Sequence, residues 1–314
     1  MSGLRRALES YLAIKNALGS KRQAHERLLR SFVEFAEAKG ASPITAQVAL
    51  DWACSSSGPQ CGSARASRLT VARLFLTYLS SIEPATQIPS AHLLAAPRRS
   101  PPFLFSVHEL GLLIQAADRL GPRDSLRPHT MATVIGVLAS AGLRPSEVLQ
   151  LTVADVQLRH APPRLLIRES KFHKSRLVPL DVTVAERLQR YADLRAQQGY
   201  DGLSDAFFVS EQGGHLSYAA LNRAFHGLLA TAGIPARTGC RAATLRCIRH
   251  SFAVNRIVAW LEQGIDVRRQ LPNLSVYLGH VNVAASYWYL TATPEMLVHA
   301  GTSFATAAGR EGEQ

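Results

Sequence analysis

The sequence predicts a mainly α-helical protein of two domains, with one small β-hairpin or sheet in the second. Three observations predict it. A chain of 314 residues favours about two domains. Apolar residues recur at helical spacing through most of the chain, whereas residues 163–180 alternate as a hairpin does. Between the halves, Pro84, Pro89, Pro97, Pro101 and Pro102 punctuate residues 81–102, with Arg98 and Arg99 among them. Proline forbids continuous helix or sheet there, so this stretch is expected to be an interdomain linker between domains at 1–80 and 103–314.

The first domain reads as four helices. Leu4, Leu8, Tyr11 and Leu12 make one apolar face. After Gly19, Leu28, Leu29, Phe32, Phe35 and Ala36 make a second. Ser42 and Pro43 precede a third helix with Val48, Leu50 and Trp52. The fourth, Ser63 to Leu79, sets Arg65, Arg68 and Arg73 among Leu69, Val71, Leu74 and Leu76, and these arginines are candidates for phosphate contact. In the second domain, Val107–Leu120 and Pro128–Ser140 are expected to be helical. The hairpin pairs Arg164–Arg168 with Arg176–Leu180. Helices return at Val182–Gln198, Tyr218–Ala232, Leu245–Gln263 and Pro294–Phe304, and Gly199, Gly233 and Gly264 stand where helices end.

Composition narrows the function. Lys and Arg number 35 against 23 Asp and Glu, a net charge of +12, so a polyanion, nucleic acid first, is the expected partner. With 47% hydrophobic residues, wholesale disorder is excluded. Cys54, Cys61, Cys240 and Cys247 form no CxxC pair and no zinc spacing, so no metal or other cofactor is expected and the thiols fit a reducing cytoplasm. The N-terminal stretch is charged and lacks the apolar core of a signal peptide, and no uncharged apolar run is long enough for a bilayer. A soluble cytoplasmic protein is expected.

Three segments carry chemistry. In Ala141-Gly-Leu-Arg-Pro-Ser-Glu-Val148 one helix ends at Gly142 and another starts with Pro145 at its first position. Arg144 therefore stands beside a helix N-terminus, where a guanidinium helps to hold an anion. In Arg246-Cys-Ile-Arg-His-Ser-Phe-Ala253, Arg246, Arg249 and His250 lie at i, i+3 and i+4 on one helix face. Cations so placed repel unless an anion sits between them; a solvated basic stripe is the plainer alternative. His280 follows a Gly turn, and Tyr289 comes nine residues later.

In this order and spacing, the segments resemble the signature boxes of the tyrosine recombinase/integrase family, which includes phage integrases and Xer-type resolvases. Ser170-Lys-Phe-His-Lys-Ser-Arg-Leu-Val-Pro-Leu180 resembles that family's lysine-bearing β-turn. The resemblance spans roughly 107–300, and residues 287–295 look like the tails of integrases from bacterial transposable elements. It implies a helical, SAM-like core-binding domain followed by an α+β catalytic domain. It also implies site-specific DNA cleavage and rejoining through a 3′-phosphotyrosyl intermediate, in DNA integration or transposition. Double-stranded DNA is the implied partner, bound by a homotetramer on two sites or by a mixed assembly with related recombinases, and no membrane is involved.

Cleaving a phosphodiester without metal needs an in-line nucleophile, neutralisation of charge on the non-bridging oxygens, and a proton for the leaving 5′ oxygen. The resemblance gives the first to Tyr289 and the second to Arg144 and Arg249, whose planar forks match phosphate. It gives the third to Lys171, with Lys174 the rival in the same turn. His280 is expected to hydrogen-bond the phosphate, and Glu147 to orient an arginine. Lys174 and Arg176 join Arg65, Arg68 and Arg73 as expected DNA contacts. Tyr277 and Tyr287 are rival nucleophiles. One position departs from the family, which usually has histidine where this chain has Arg246. An arginine cannot act as a base near neutral pH, so either that position is electrostatic here or the enzyme is weakened. His250 is expected to pack structurally, and to compensate only if its ring turns inward. The alternatives are an accessory paralogue that binds DNA without cutting it, and a type IB topoisomerase.

Overall fold

The computed structural model describes residues 2–19, 23–55, 62–94, 101–170, 174–280, 282 and 289, with backbone only at 23, 169, 170 and 174. The chain divides into two compact units, Met1–Arg99 and Ser100–Gln314.

The first unit contains α1 (Gly3–Ala17), α2 (Gln23–Ala38), α3 (Ala46–Cys54) and α4 (Gly62–Leu79). Ser2 and Thr45 start α1 and α3 by accepting a hydrogen bond from the backbone N–H three residues on. The apolar stripes meet in a core around Tyr11, Phe32, Trp52 and Phe75. Their rings pack edge to face, Phe32 against Trp52 at 5.2 Å and Tyr11 against Phe75 at 5.5 Å. Each fully buried phenylalanine contributes about 1.5–3 kcal/mol. The boundary between units falls within the stretch read as linker, but part of that stretch belongs to this unit's packing. The Gln87 N–H donates to the Ile44 carbonyl at 2.8 Å, Thr86 is buried, and Leu94 packs on the core.

The second unit starts with α5 (Val107–Asp118), α6 (Arg127–Ala141) and α7 (Pro145–Leu149). A capping box between Ser106 and Glu109 opens α5. α6 is buried on nearly every side, through Met131, Val134, Ile135, Val137 and Leu138, and so forms the unit's central post. A three-stranded antiparallel sheet follows: β1 (Val156–Gln157), β2 (Arg164–Ser170) and β3 (Lys174–Pro179), in that order. Leu165 pairs with Val178 and Ile167 with Arg176, and the register shifts between Ile167 and Ser170. Leu165, Ile167 and Val178 face the core while Leu177 faces out, as a two-residue period requires.

Among the described residues the remaining α-helices are α8 (Val182–Gln197), α9 (Tyr218–Thr231), α10 (Leu245–Glu262) and α11 (Val267–Leu278). The main core joins Phe103, Phe105, Tyr191, Phe208 and Phe225 to α6. A second core packs Ala253, Val254 and Ile257 of α10 against Val267, Leu271, Leu274 and Leu278 of α11, with Tyr289 buried in the same cluster. α11 was not expected from the sequence; Asp266 caps it and Pro272 lies inside it. The expected helix at Pro294–Phe304 lies outside the described residues. Among the described residues, no helix is long and apolar enough to cross a membrane.

Candidate active site

The site is built where two helices end. α6 ends at Gly142 and α11 at Gly279, both in the left-handed backbone region, with φ of 58° and 67°. Neither glycine tolerates a side chain. A Cβ at Gly142 would stand 2.3 Å from the Phe252 ring, and one at Gly279 would stand 2.9 Å from the Arg176 guanidinium. The last carbonyls of a helix have no partner within it and carry the negative end of its dipole. Here arginines take them. Arg249 of α10 donates to the carbonyls of Gly142 (2.9 Å) and Leu278 (2.6 Å). Arg144 donates to that of Gly279 (3.0 Å), and Arg176 of β3 to that of Tyr277 (2.9 Å).

One carboxylate ties these arginines together. Glu147, on the first turn of α7, accepts from the Arg144 backbone N–H (2.9 Å) and from its guanidinium (2.6 Å). Arg176 binds it in bidentate fashion, at 3.0 and 2.9 Å. The Arg249 guanidinium stands 3.9 Å away. The Glu147 side chain is only 4% exposed. Burial pushes its pKa up, but hydrogen bonds and charge from Arg176, and then Arg144, outweigh that and hold it at about 2. Three guanidiniums thus share one anion, so the site keeps a surplus of positive charge. Arg249 is itself lowered to about 10 by burial and by the charge of Arg144, and remains a cation at neutral pH.

Tyr289 sits beside this cluster, 3% exposed. Burial raises its phenol pKa, while the charge of Arg249 and a hydrogen bond from it pull the other way. Two imidazoles flank it. His280, just past Gly279, stacks on the phenol with centroids 6.2 Å apart and planes 18° apart. The His250 Nδ1 lies 3.3 Å from the phenol oxygen. Both imidazoles are lowered to about 4, first by burial and then by the surrounding arginines, so both are neutral at pH 7 in the DNA-free protein.

The structure therefore brings Arg144, Arg249, His280 and Tyr289 together, with Glu147 between the arginines. Arg246 is exposed on α10, close enough for its charge to act on both His250 and Tyr289. Two side chains lie elsewhere than on an outer face. Arg176 lies within the arginine cluster, bound to Glu147 and the Tyr277 carbonyl with its side chain 12% exposed. A two-residue period would have placed it, because it shares the core-facing side of β3 with Val178. Arg68 also turns inward, donating to the Trp52 carbonyl at 2.7 Å and covering the Trp52 indole at 4.3 Å. The His250 ring lies against Tyr289, a contact that its spacing from Arg249 did not reveal. Tyr277, the rival nucleophile, stacks on Phe252. Arg65 is exposed and Arg73 half-buried on α4 of the first unit. Lys171 and Tyr287 lie outside the described residues, as does the Lys174 side chain. Among the described residues no group of His, Cys, Asp and Glu is placed to hold a metal ion.

Comparison with known proteins adds independent findings. Residues 105–296 match the phage integrase family. The chain is 38% identical over 305 residues to the putative integrase/recombinase y4rB of Sinorhizobium fredii, covering 96% of both proteins. It is 27% identical to the tyrosine recombinase XerD of Brucella abortus, over 92% of each. Its fold is similar to that of the XerH site-specific recombinase, solved as a post-cleavage complex with palindromic difH substrate. That likeness has a TM-score of 0.69 at 20% identity, covering 93% of this chain and 82% of that one.

Proposed function

The chain belongs to the phage integrase family, and from that premise we propose that it cuts and rejoins DNA at specific sites through a covalent bond between Tyr289 and a backbone phosphate. One observation carries the assignment of roles: a buried phenol in contact with Arg249, inside a cluster where three guanidiniums share a single carboxylate. Such a cluster is short of an anion, and a phosphodiester supplies one.

Arg144 and Arg249 hold the non-bridging oxygens and stabilise the charge that grows on them. His280 donates an N–H to the same phosphate, which a neutral imidazole can do. Lys171 protonates the leaving 5′ oxygen. Lys174 is the alternative donor in the same turn. Arg246 acts through its charge. The phosphotyrosine stores the energy of the broken bond, so resealing needs no other energy source.

The DNA partner fits the charge of +12. Arg65 and Arg73 of the helical first unit, read as a core-binding domain, add phosphate contacts. The XerH complex with its palindromic substrate supports an assembly on paired half-sites, and four protomers on two sites is the proposed form. The proposed place is the cytoplasm.

The test is to incubate the purified protein with nicked duplexes from the flanks of its own gene. A covalent adduct mapped to Tyr289, absent in Tyr289→Phe, is expected. Site-specific gel shifts without an adduct would instead make the protein an accessory binder.

A further inference from the structure

A phenol that attacks phosphorus must lose its proton, and the described residues around Tyr289 narrow where that proton can go. At position 246, where the family usually has histidine, stands an arginine without a lone pair near neutral pH. Arg249 and Arg144 are donors only. The His280 ring runs nearly parallel to the phenol, with planes 18° and centroids 6.2 Å apart. His250 approaches differently. Its ring is tilted 55° to the phenol, with Nδ1 at 3.3 Å from the oxygen, within reach of proton transfer. Helix geometry allows this, because successive residues on α10 point about 100° apart. Arg249 reaches the ends of α6 and α11 while His250 faces the phenol.

We propose that His250 is the general base of this enzyme, accepting the Tyr289 proton at Nδ1 as the phenol attacks. This rests on the recombinase reading above. The Oη–H bond breaks and its proton passes to Nδ1, while Oη bonds to phosphorus. The P–O5′ bond breaks with its electron pair left on O5′, which takes a proton from the lysine of the β2–β3 turn. On resealing, the 5′ hydroxyl gives its proton back to that lysine as O5′ bonds to phosphorus, and the P–Oη bond breaks with its electron pair on Oη, to which His250 returns the proton.

The groups facing His250 make this step depend on DNA. Arg241, Arg246 and Arg249 bear on it with their charges, and His280 and Tyr289 lie alongside. Burial first, and then the three cations, disfavour an imidazolium, so the DNA-free imidazole stays neutral. A bound phosphate opposes those cations and raises the basicity of His250 when it is needed. Burial holds the Tyr289 phenol above its ordinary pKa, so it is protonated in the DNA-free protein.

The test compares single-turnover cleavage by wild type, His250→Ala and His250→Asn between pH 6 and 9.5. A second substrate carries sulfur in place of the bridging 5′ oxygen. Wild type is expected to be nearly flat from pH 7 to 9. Both variants are expected to lose about 10²–10⁴-fold at pH 7, and then to gain about tenfold per pH unit as hydroxide replaces the base. The sulfur leaving group needs no acid, so it restores Lys171→Ala but not His250→Ala. A pH-independent loss, or rescue by sulfur, would overturn the proposal. Absence of any Tyr289 adduct in wild type would overturn the recombinase reading instead. A measurement that needs no DNA stands beside these: nitrogen-15 spectra should show His250 protonated at Nε2, with an Nδ1 signal that shifts in Tyr289→Phe. A proton resident on Nδ1 in wild type would sink the idea even if the variants fold poorly.

Discussion

The ion pairs of the first unit and the arginine cluster of the second handle charge in opposite ways. In the helical first unit each paired cation has at least one carboxylate to itself: Arg5 with Glu37, Arg30 with Glu9 and Glu26, Lys39 with Asp51. These pairs lie at the surface, where water and salt leave each worth little. In the second unit's active site, Arg144, Arg176 and Arg249 converge on the carboxylate of Glu147, and backbone carbonyls at the ends of α6 and α11 accept further hydrogen bonds from them. Helix-end carbonyls fix a guanidinium's position without cancelling its charge, as a second carboxylate would. The difference shows how a protein keeps buried positive charge available to a substrate: it anchors the arginines on dipoles and limits the anions.

The strongest way to break the comparison is to remove a cluster arginine. Arg249→Ala is expected to lower single-turnover cleavage by about 10³-fold or more, the scale on which an arginine stabilises a phosphoryl transition state. Arg246, exposed at the start of the same helix, should behave otherwise. Arg246→His is expected to keep cleavage within about tenfold of wild type or raise it, because an exposed charge is screened. Equal, deep losses in Arg246→His and Arg246→Ala would refute the view that the site accepts either cation there.

The next effect concerns stability. Glu147→Gln keeps the shape but removes the charge that three guanidiniums share, and is expected to cost about 3–5 kcal/mol in urea unfolding. The acid dependence carries the same information. Glu147 has a folded pKa of about 2 against an ordinary 4.5, so its stabilisation is present above about 4.5 and is lost as pH falls toward 2. That shift corresponds to about 3 kcal/mol. Glu147→Gln should therefore be flatter than wild type between pH 5 and 2. An unchanged acid transition would mean that the carboxylate is not held by the arginines.

Much of this was legible in the sequence, and the misses have physical causes. Gly142, Arg144 and Pro145 mark a helix end and a helix start in four residues, so the local geometry around Arg144 could be read directly. α11 was also legible in principle: Val267, Leu271, Leu274 and Leu278 follow helical spacing and become its buried face. Pro272 reads as a breaker and hid it. Charge alone misled for Arg68 and Arg176. A basic residue between apolar neighbours looks the same in sequence whether it meets water, an indole or a buried carboxylate. Only the fold brings Trp52 to one and Glu147 to the other. The contact between His250 and Tyr289 joins residues on separate segments, and no local period reports it.

The smallest expected effect separates two kinds of arginine on one helix. Arg73 of α4 is half-buried and proposed to contact phosphate, whereas Arg68 is committed to Trp52. A phosphate contact releases counterions, so Arg73→Ala should lower the slope of log affinity against log salt by about 0.9 and leave stability nearly unchanged. Arg68→Ala should do the reverse. It removes a cation from the indole face, worth roughly 0.5–2 kcal/mol, and leaves the salt slope near that of wild type. Gel shifts across a salt series and urea unfolding of both variants measure the two effects. If both substitutions reduce the slope equally, Arg68 leaves its indole when DNA arrives, and the contrast between paired and available charge does not hold within the first unit.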